Sequence, residues 1–226
     1  MKLKDSLCVI TGASGATGSI ITEHLYSRGA RVIGLGFRGE PRLSLIKKND
    51  RSGMLYLNLG NEGDVAKAVE SIRGQEGPIT AWINTAGGFH MGSSVEDTEA
   101  SIWQGQWQLN FQTTLNAAKA ILPQFREQGH GRLINFGSAA ALDSLATAGP
   151  YIVSKAAVHA LTRTIASELE GDITCNAILP GTIDTAANRA AMPGADTSQW
   201  VPPQRIAEEV EAMVTGNMNG ELQVLK

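Results

Sequence analysis

The sequence predicts an α/β protein: a single doubly wound parallel sheet of about seven strands, flanked by helices and forming one domain over residues 1–226. Three observations carry this expectation. Short apolar runs alternate with longer stretches of helical periodicity. Those runs are continuous, whereas a sheet open to water on one face would show polar residues at every second position. The 25 glycines among 226 residues lie singly between the runs, as turn residues do. Strand and helix in alternation imply right-handed crossovers that cover both faces of the sheet.

Taken in order, residues 7–10 form an apolar strand bounded by glycine, and 20–26 recur with helical spacing up to Gly29. Strands follow at 31–35 and 54–59, then a helix at 62–73 and a strand at 81–85. A long helix near 100–128, a strand at 132–136, a helix near 149–170, and strands at 173–179 and 222–225 complete the pattern. Two segments stand outside it. Residues 87–95 are rich in Gly and Ser, and residues 180–203 form a long polar stretch with Gly, Asp and Pro. Ligands of doubly wound sheets sit beyond the carboxyl ends of strands, and long loops there act as lids, so both segments are expected to line one cleft.

A net charge of −3 and the absence of long runs of like charge argue against a nucleic-acid or membrane-surface partner. No stretch approaches the roughly 18 to 20 apolar residues of a membrane span. The apolar run after Lys4 stops at Thr11-Gly12, too early for a secretory leader, so a cytoplasmic location is expected. Cys8 and Cys175 read as buried free thiols, and the dispersed His24, His90, His130 and His159 suggest no metal site.

Thr11-Gly12-Ala13-Ser14-Gly15-Ala16-Thr17-Gly18 joins the first strand to the first helix. A turn of this kind lets backbone amides approach a pyrophosphate, with the helix N-terminus adding about half a positive charge. A tight structural turn would read the same way. Tyr151 and Lys155 share one helix face by their four-residue spacing. A cation beside a phenol favours the phenolate and lowers its pKa, making an acid-base group. An amphipathic surface helix produces the same pair.

The glycine turn resembles the TGxxxGxG motif of the short-chain dehydrogenase/reductase family, with Ala16 at the middle glycine position. Asn84-Thr85-Ala86-Gly87 resembles the family's NNAG element, Tyr151-Ile152-Val153-Ser154-Lys155 its YxxxK, and Pro180-Gly181-Thr182-Ile183-Asp184-Thr185 its PGxxxT. The resemblance covers nearly the whole chain and implies a Rossmann domain with a nicotinamide cofactor. It implies Tyr151 as general acid/base, Lys155 as its pKa partner and ribose ligand, Ser138 as orienter of the substrate carbonyl, and Asn110 as support for a proton-relay water. By the same resemblance Gly12, Ser14, Gly15, Ala16, Thr17 and Gly18 hold phosphate. Asn58 and Leu59 lie beside the adenine; Asn84, Ala86 and Gly87 line the cofactor. Pro180, Gly181, Ile183 and Thr185 hold the carboxamide.

An acidic residue at the end of the second strand would bond a ribose 2′-OH and repel a 2′-phosphate. Here that position is Gly36, followed by Phe37 and Arg38. Arg38 or Arg42 could pair with a phosphate, so NADP is expected ahead of NAD. A solvated basic loop is the other reading of these arginines.

Residues 185–200 are similar to the lid of dihydropteridine reductases, as are Ala86-Gly87-Gly88-Phe89 and Ala139-Ala140-Ala141-Leu142-Asp143. That subgroup typically lacks the serine and carries the acid, so Ser138 and Gly36 point back to ordinary carbonyl reduction. The expected reaction is hydride transfer between NAD(P) and a small carbonyl/alcohol or pterin-like molecule. Phe89, Leu142, Met192 and Trp200 are candidate substrate contacts, or lid packing. Dihydropteridine reduction proper and a non-catalytic nucleotide sensor on the same fold are the alternatives. The family often forms homodimers and homotetramers through its long helices, where Ala117, Ala118, Ala156 and Ala157 would permit close approach.

Overall fold

The computed structural model describes residues 1–4, 6–37 and 42–226, with Arg42 described by its backbone only. Eight strands form one sheet: β1 (Leu7–Thr11), β2 (Arg31–Gly36), β3 (Arg42–Asn49), β4 (Ser52–Tyr56), β5 (Ala81–Asn84), β6 (His130–Phe136), β7 (Asp172–Pro180) and β8 (Leu222–Leu225). Their order across the sheet is β3-β4-β2-β1-β5-β6-β7-β8. All pairs are parallel except β3 with β4. That edge strand corrects the expectation of a wholly parallel sheet. Its half-buried Leu43 and Leu45 alternate with exposed residues, and a short turn at 50–51 sends the chain straight into β4.

The helices are α1 (Ala16–Ser27), α2 (Glu62–Glu76), α3 (Ala100–Gln106), α4 (Thr113–Gln128), α5 (Gly149–Glu168), α6 (Ala186–Ala191) and α7 (Pro203–Thr215). A π-helical segment, Trp107–Gln112, joins α3 to α4. Successive residues of a strand enter opposite faces, so β1 sends Cys8 and Ile10 to one core, and Leu7 and Val9 to the other. The first core is closed by Ile21 and Leu25 of α1 with Ile206, Val210 and Val214 of α7. The second is closed by Val65, Val69 and Ile72 of α2, Ile121 and Phe125 of α4, and Ile165 of α5. Both faces being buried explains why the strands read as unbroken apolar runs.

Helix α7 was not expected from the sequence, although its buried Ile206, Ala207, Val210, Met213 and Val214 recur at helical spacing. It packs on α1, where Glu211 accepts from Arg28 Nε at 3.0 Å and lies 2.6 Å from His24 Nε2. Helix α6 sits within the expected lid. Four connections leave the carboxyl ends of neighbouring strands: the glycine turn after β1, the loop after β5, Ser138 after β6 and the lid after β7. No helix among the described residues is long and apolar enough to cross a membrane.

Candidate active site

The glycine turn is dictated by steric exclusion. Gly12 has a left-handed φ of 64°, and a Cβ there would lie 3.1 Å from the Ala86 backbone. A Cβ on Gly18 would stand 2.3 Å from the Gly12 carbonyl oxygen, so α1 can meet β1 only through glycine. Gly15 precedes α1 and its N–H donates to the Gly12 carbonyl at 2.9 Å. No side chain caps the helix, which leaves its first amides directed at the cleft mouth. Ser14 and Ala16 are exposed and Thr17 half-buried, so the extra methyl of Ala16 obstructs nothing in the turn.

The loop after β5 is fastened to this turn. Thr85 Oγ1 donates to the Thr11 carbonyl at 2.5 Å, and the Ala86 N–H donates to Thr11 Oγ1 at 3.1 Å. Threonine in place of the family's second asparagine therefore has its own partner. Asn84 is placed otherwise than the resemblance implies: its side chain lies inside the protein, accepting from Trp82 Nε1 at 2.9 Å and donating to Asn135 at 2.9 Å. It braces the sheet and leaves only its backbone to a ligand.

A cleft of about 250 Å³ opens beside the turn. Gly12, Ser14, Gly36, Asn58, Leu59 and Ala86, all singled out in the sequence, line it. Leu35, Phe37, Leu57, Leu109 and Thr113 line it too and were not singled out, although the first three lie at strand ends. Asn58 accepts from the Gly60 N–H at 3.0 Å, and the Leu59 carbonyl from Asn116 Nδ2 at 2.9 Å. Arg38 lies outside the described residues, as does the side chain of Arg42.

Helix α5 carries Tyr151 and Lys155, the candidate reactive groups. Tyr151 and Lys155 lie one turn apart, and Lys155 is buried with its Nζ donating to the Phe136 carbonyl at 2.7 Å. Burial drives the Lys155 pKa down to about 8. The Tyr151 phenol runs contrary to expectation: burial pushes its pKa up, and the neighbouring Ser138 pulls it partly back. Lys155 is not the group acting on the phenol here, because its ammonium is held by Phe136. Ser138 is buried and extended just after β6, and its N–H donates to His159 of α5.

Asn110 stands in the π-helical segment, a distortion common at functional sites. Its side chain grips the loop after β5 from both sides, accepting from the Gly88 N–H and donating to the Gly88 carbonyl, each at 3.0 Å. It also donates to Ser154 Oγ at 3.2 Å. Gly87 must be glycine, since a Cβ would meet Asn110 Oδ1 at 2.8 Å and Lys155 Nζ at 3.3 Å. Asn110, Lys155 and Gly87 are thus one cluster. The Asn110 side chain is committed to the loop.

The lid is tied at its base. Ile183 pairs with Val201, the Val201 N–H donates to the Thr182 carbonyl at 2.8 Å, and the Asp184 N–H to the Val201 carbonyl at 2.9 Å. Gly181 N–H donates to the carbonyl of Leu225 at 2.8 Å, so Pro180 and Gly181 continue the pairing of β7 with β8. Thr185 caps α6 by accepting from the Asn188 N–H at 3.2 Å, and Asn188 Nδ2 donates to the Ile183 carbonyl at 2.8 Å. Asp184 and Arg189 form a two-pronged ion pair at 2.5 and 2.8 Å.

Of the four candidate substrate contacts, Phe89 meets Tyr151 edge to face with ring centroids 4.8 Å apart. Leu142 and Met192 are 49% and 40% exposed on the loops after β6 and β7, and Trp200 is half-buried at the lid base. They share the carboxyl edge of the sheet with Tyr151. Ala117 and Ala118 correct an expectation: both are buried in their own chain's core and offer nothing to a second copy, while Ala156 and Ala157 are half-buried.

A sequence model of the family described as short chain dehydrogenase matches residues 6–196. An uncharacterised oxidoreductase of Staphylococcus aureus (strain USA300) is 30% identical over 212 residues, covering 92% of this chain and 90% of its own. The 2-(S)-hydroxypropyl-CoM dehydrogenase 3 of Xanthobacter autotrophicus is 30% identical over 218 residues, covering 92% and 83%. Among solved structures, the aldohexose dehydrogenase of Thermoplasma acidophilum superposes with a TM-score of 0.86 at 26% identity, over 99% of this chain and 93% of that one. The matched residues run from the phosphate turn through the lid, so the chain belongs to the short-chain dehydrogenase family of NAD(P)-dependent oxidoreductases.

Proposed function

We propose that the protein transfers hydride between a nicotinamide cofactor and a small carbonyl or alcohol, with Tyr151 as the proton donor and acceptor. The observation that carries this reading is the half-buried Tyr151 phenol beside Ser138, one helical turn from the buried Lys155. Burial keeps the phenol protonated at neutral pH, the form that must deliver a proton when a carbonyl is reduced. Ser138 then shares the carbonyl oxygen with Tyr151 and fixes which face of the substrate is presented. In oxidation the phenol oxygen takes the hydroxyl proton back. Lys155 lies too deep to touch substrate; drawn away from Phe136, it would bond a ribose and lower the Tyr151 pKa.

The residues present fit a dinucleotide. A pyrophosphate requires a backbone cradle, and the Gly12 and Gly18 contacts leave no room for any side chain there. The amides of Gly15, Ala16, Thr17 and Gly18 with Ser14 would hold phosphate, Asn58 and Leu59 the adenine, and Ala86, Gly87 and the backbone of Asn84 the ribose side. Pro180, Gly181, Ile183 and Thr185 would hold the carboxamide. The cofactor, when bound, supplies the hydride or accepts it. NADP is the proposed form, because Gly36 removes the carboxylate that would repel a 2′-phosphate and Arg38 or Arg42 follows it.

The substrate side carries Phe89, Leu142 and Met192 as exposed apolar groups, which suits a molecule with an apolar body beside its carbonyl. The dihydropteridine reading rests on the lid pattern and on residues 86–89 and 139–143, and the presence of Ser138 beside Tyr151 favours carbonyl reduction over it. One domain, a homodimer or homotetramer, and a cytoplasmic location belong to the same proposal. An assay of ketones, 3-oxoacyl thioesters and quinonoid dihydropterin with NADPH and NADH tests the reading. We expect NADPH-dependent turnover of apolar ketones; turnover of the dihydropterin alone would overturn carbonyl reduction.

A further inference from the structure

One stripe of α5 sets three residues beside the end of β6. Tyr151, Lys155 and His159 recur at four-residue intervals and so share a face. Lys155 Nζ donates to the Phe136 carbonyl at 2.7 Å. Gly137 lies so close to the next side chain that a Cβ on it would stand 2.3 Å from His159 Nε2. The Ser138 N–H donates to that same Nε2 at 3.2 Å, and Ser138 is also a neighbour that acts on the Tyr151 phenol. His159 is buried and belongs to no part of the chemistry described so far.

A ring nitrogen that accepts from a backbone N–H must be unprotonated, which places the single imidazole proton on Nδ1. The surroundings enforce this state. Burial, then the charges of Lys155 and Arg163, hold the His159 pKa down to about 4, and the residues just after β6 that meet it, Gly137 and Ser138, carry no charge. Ser138 thus meets this imidazole through its main chain and adjoins Tyr151. Among the described residues its main chain takes no other hydrogen bond from α5, and a buried N–H left without an acceptor is costly enough to reorient a strand end.

We propose that His159 is a positioning residue for carbonyl reduction: its neutral Nε2 holds the Ser138 main chain so that the Ser138 hydroxyl stays on the Tyr151 phenol. The inference rests on the roles given to Ser138 and Tyr151 above. It explains why Gly137 has no side chain, since the imidazole fills that space. It also predicts that His159 acts through Ser138 and not through Lys155, its other neighbour on the stripe.

The test is a pair of variants, His159→Leu and His159→Gln, each made in the wild-type chain and on Ser138→Ala. A misplaced catalytic group costs about tenfold to a hundredfold in rate, so His159→Leu is expected to lower kcat by that factor with cofactor affinity unchanged. His159→Gln, which keeps an acceptor oxygen, restores part of it. On Ser138→Ala the leucine costs nothing further. An undiminished kcat in His159→Leu, or an equal loss in both backgrounds, overturns the proposal. Should His159→Leu fail to fold, nitrogen NMR of the unaltered protein decides: a proton on Nδ1 with a bare Nε2 is expected, and a proton on Nε2 contradicts it. The NMR result does not depend on turnover, so it separates failure of this inference from failure of the proposed reaction.

Discussion

The phosphate turn and the lid lie at the same edge of one sheet, yet they are held in opposite ways. At the turn, backbone atoms determine the shape: Gly12 and Gly18 admit no side chain, and Thr11 is fastened to Thr85 and Ala86 by two hydrogen bonds. The lid is fastened only at its base, through Thr182, Ile183, Asp184 and Val201, while Met192 at the end of α6 stays exposed. A site built from backbone sterics recognises what every dinucleotide shares. A site built from exposed side chains recognises what distinguishes one substrate from another, and it changes with each substitution.

The comparison breaks first at Gly18. Gly18→Ala puts a methyl against the Gly12 carbonyl, and we expect cofactor binding to vanish along with about 1–3 kcal/mol of stability, measured by titration calorimetry and thermal unfolding. A variant that binds cofactor normally would mean that the turn can relax as the lid does.

Lys155 sharpens the rigid side. The unfolded chain keeps a proton on this lysine up to its ordinary value of 10.5, the folded chain only to about 8. The folded state therefore gains stability from this group as pH rises through that window. Buried Cys8 and Cys175 and the raised Tyr151 titrate with the opposite sign, so the contribution is isolated as a difference. Relative to Lys155→Met, the unaltered protein should gain up to about 3 kcal/mol between these limits in urea unfolding. A flat difference would show that Lys155 is well solvated.

Between the two regions stands Gly36. Gly36→Asp places a carboxylate where a 2′-phosphate would lie, and the Tyr56 ring, 3.2 Å from a Cβ, need yield only slightly. The ratio of Michaelis constants for NADPH and NADH should move at least about tenfold towards NADH. An unchanged ratio would take the phosphate away from this strand end. The smallest effect belongs to the substrate side: Phe89→Ala removes an edge-to-face contact worth about 0.5–1.5 kcal/mol, lowering kcat/KM for apolar ketones about threefold to tenfold. Equal values for apolar and polar ketones would remove Phe89 from specificity.

How far the sequence could be read follows the same division. The strands of the parallel sheet and the glycine turn were legible, because a fully buried strand and a forbidden Cβ each leave a local mark. Helix α7 left a mark in Ile206, Val210 and Val214, but the sequence reading placed no element between the polar stretch ending at 203 and the last strand. Strand β3 was not, since only Leu43 and Leu45 face the core from an otherwise polar edge. Nor could sequence show that Asn110 sits in a π-helical turn with its amide spent on Gly88, or that Lys155 faces Phe136. These are tertiary facts. His159 left a trace, eight residues after Tyr151 on the same stripe, that becomes meaningful only when Gly137 and Ser138 are seen against it.

The most direct test of the central claim is Tyr151→Phe, which keeps the ring, its burial and its contact with Phe89 and removes only the phenolic oxygen. We predict that it binds NADPH with the affinity of the unaltered protein and turns over no ketone. Ketone reduction at a normal rate by this variant would contradict the account.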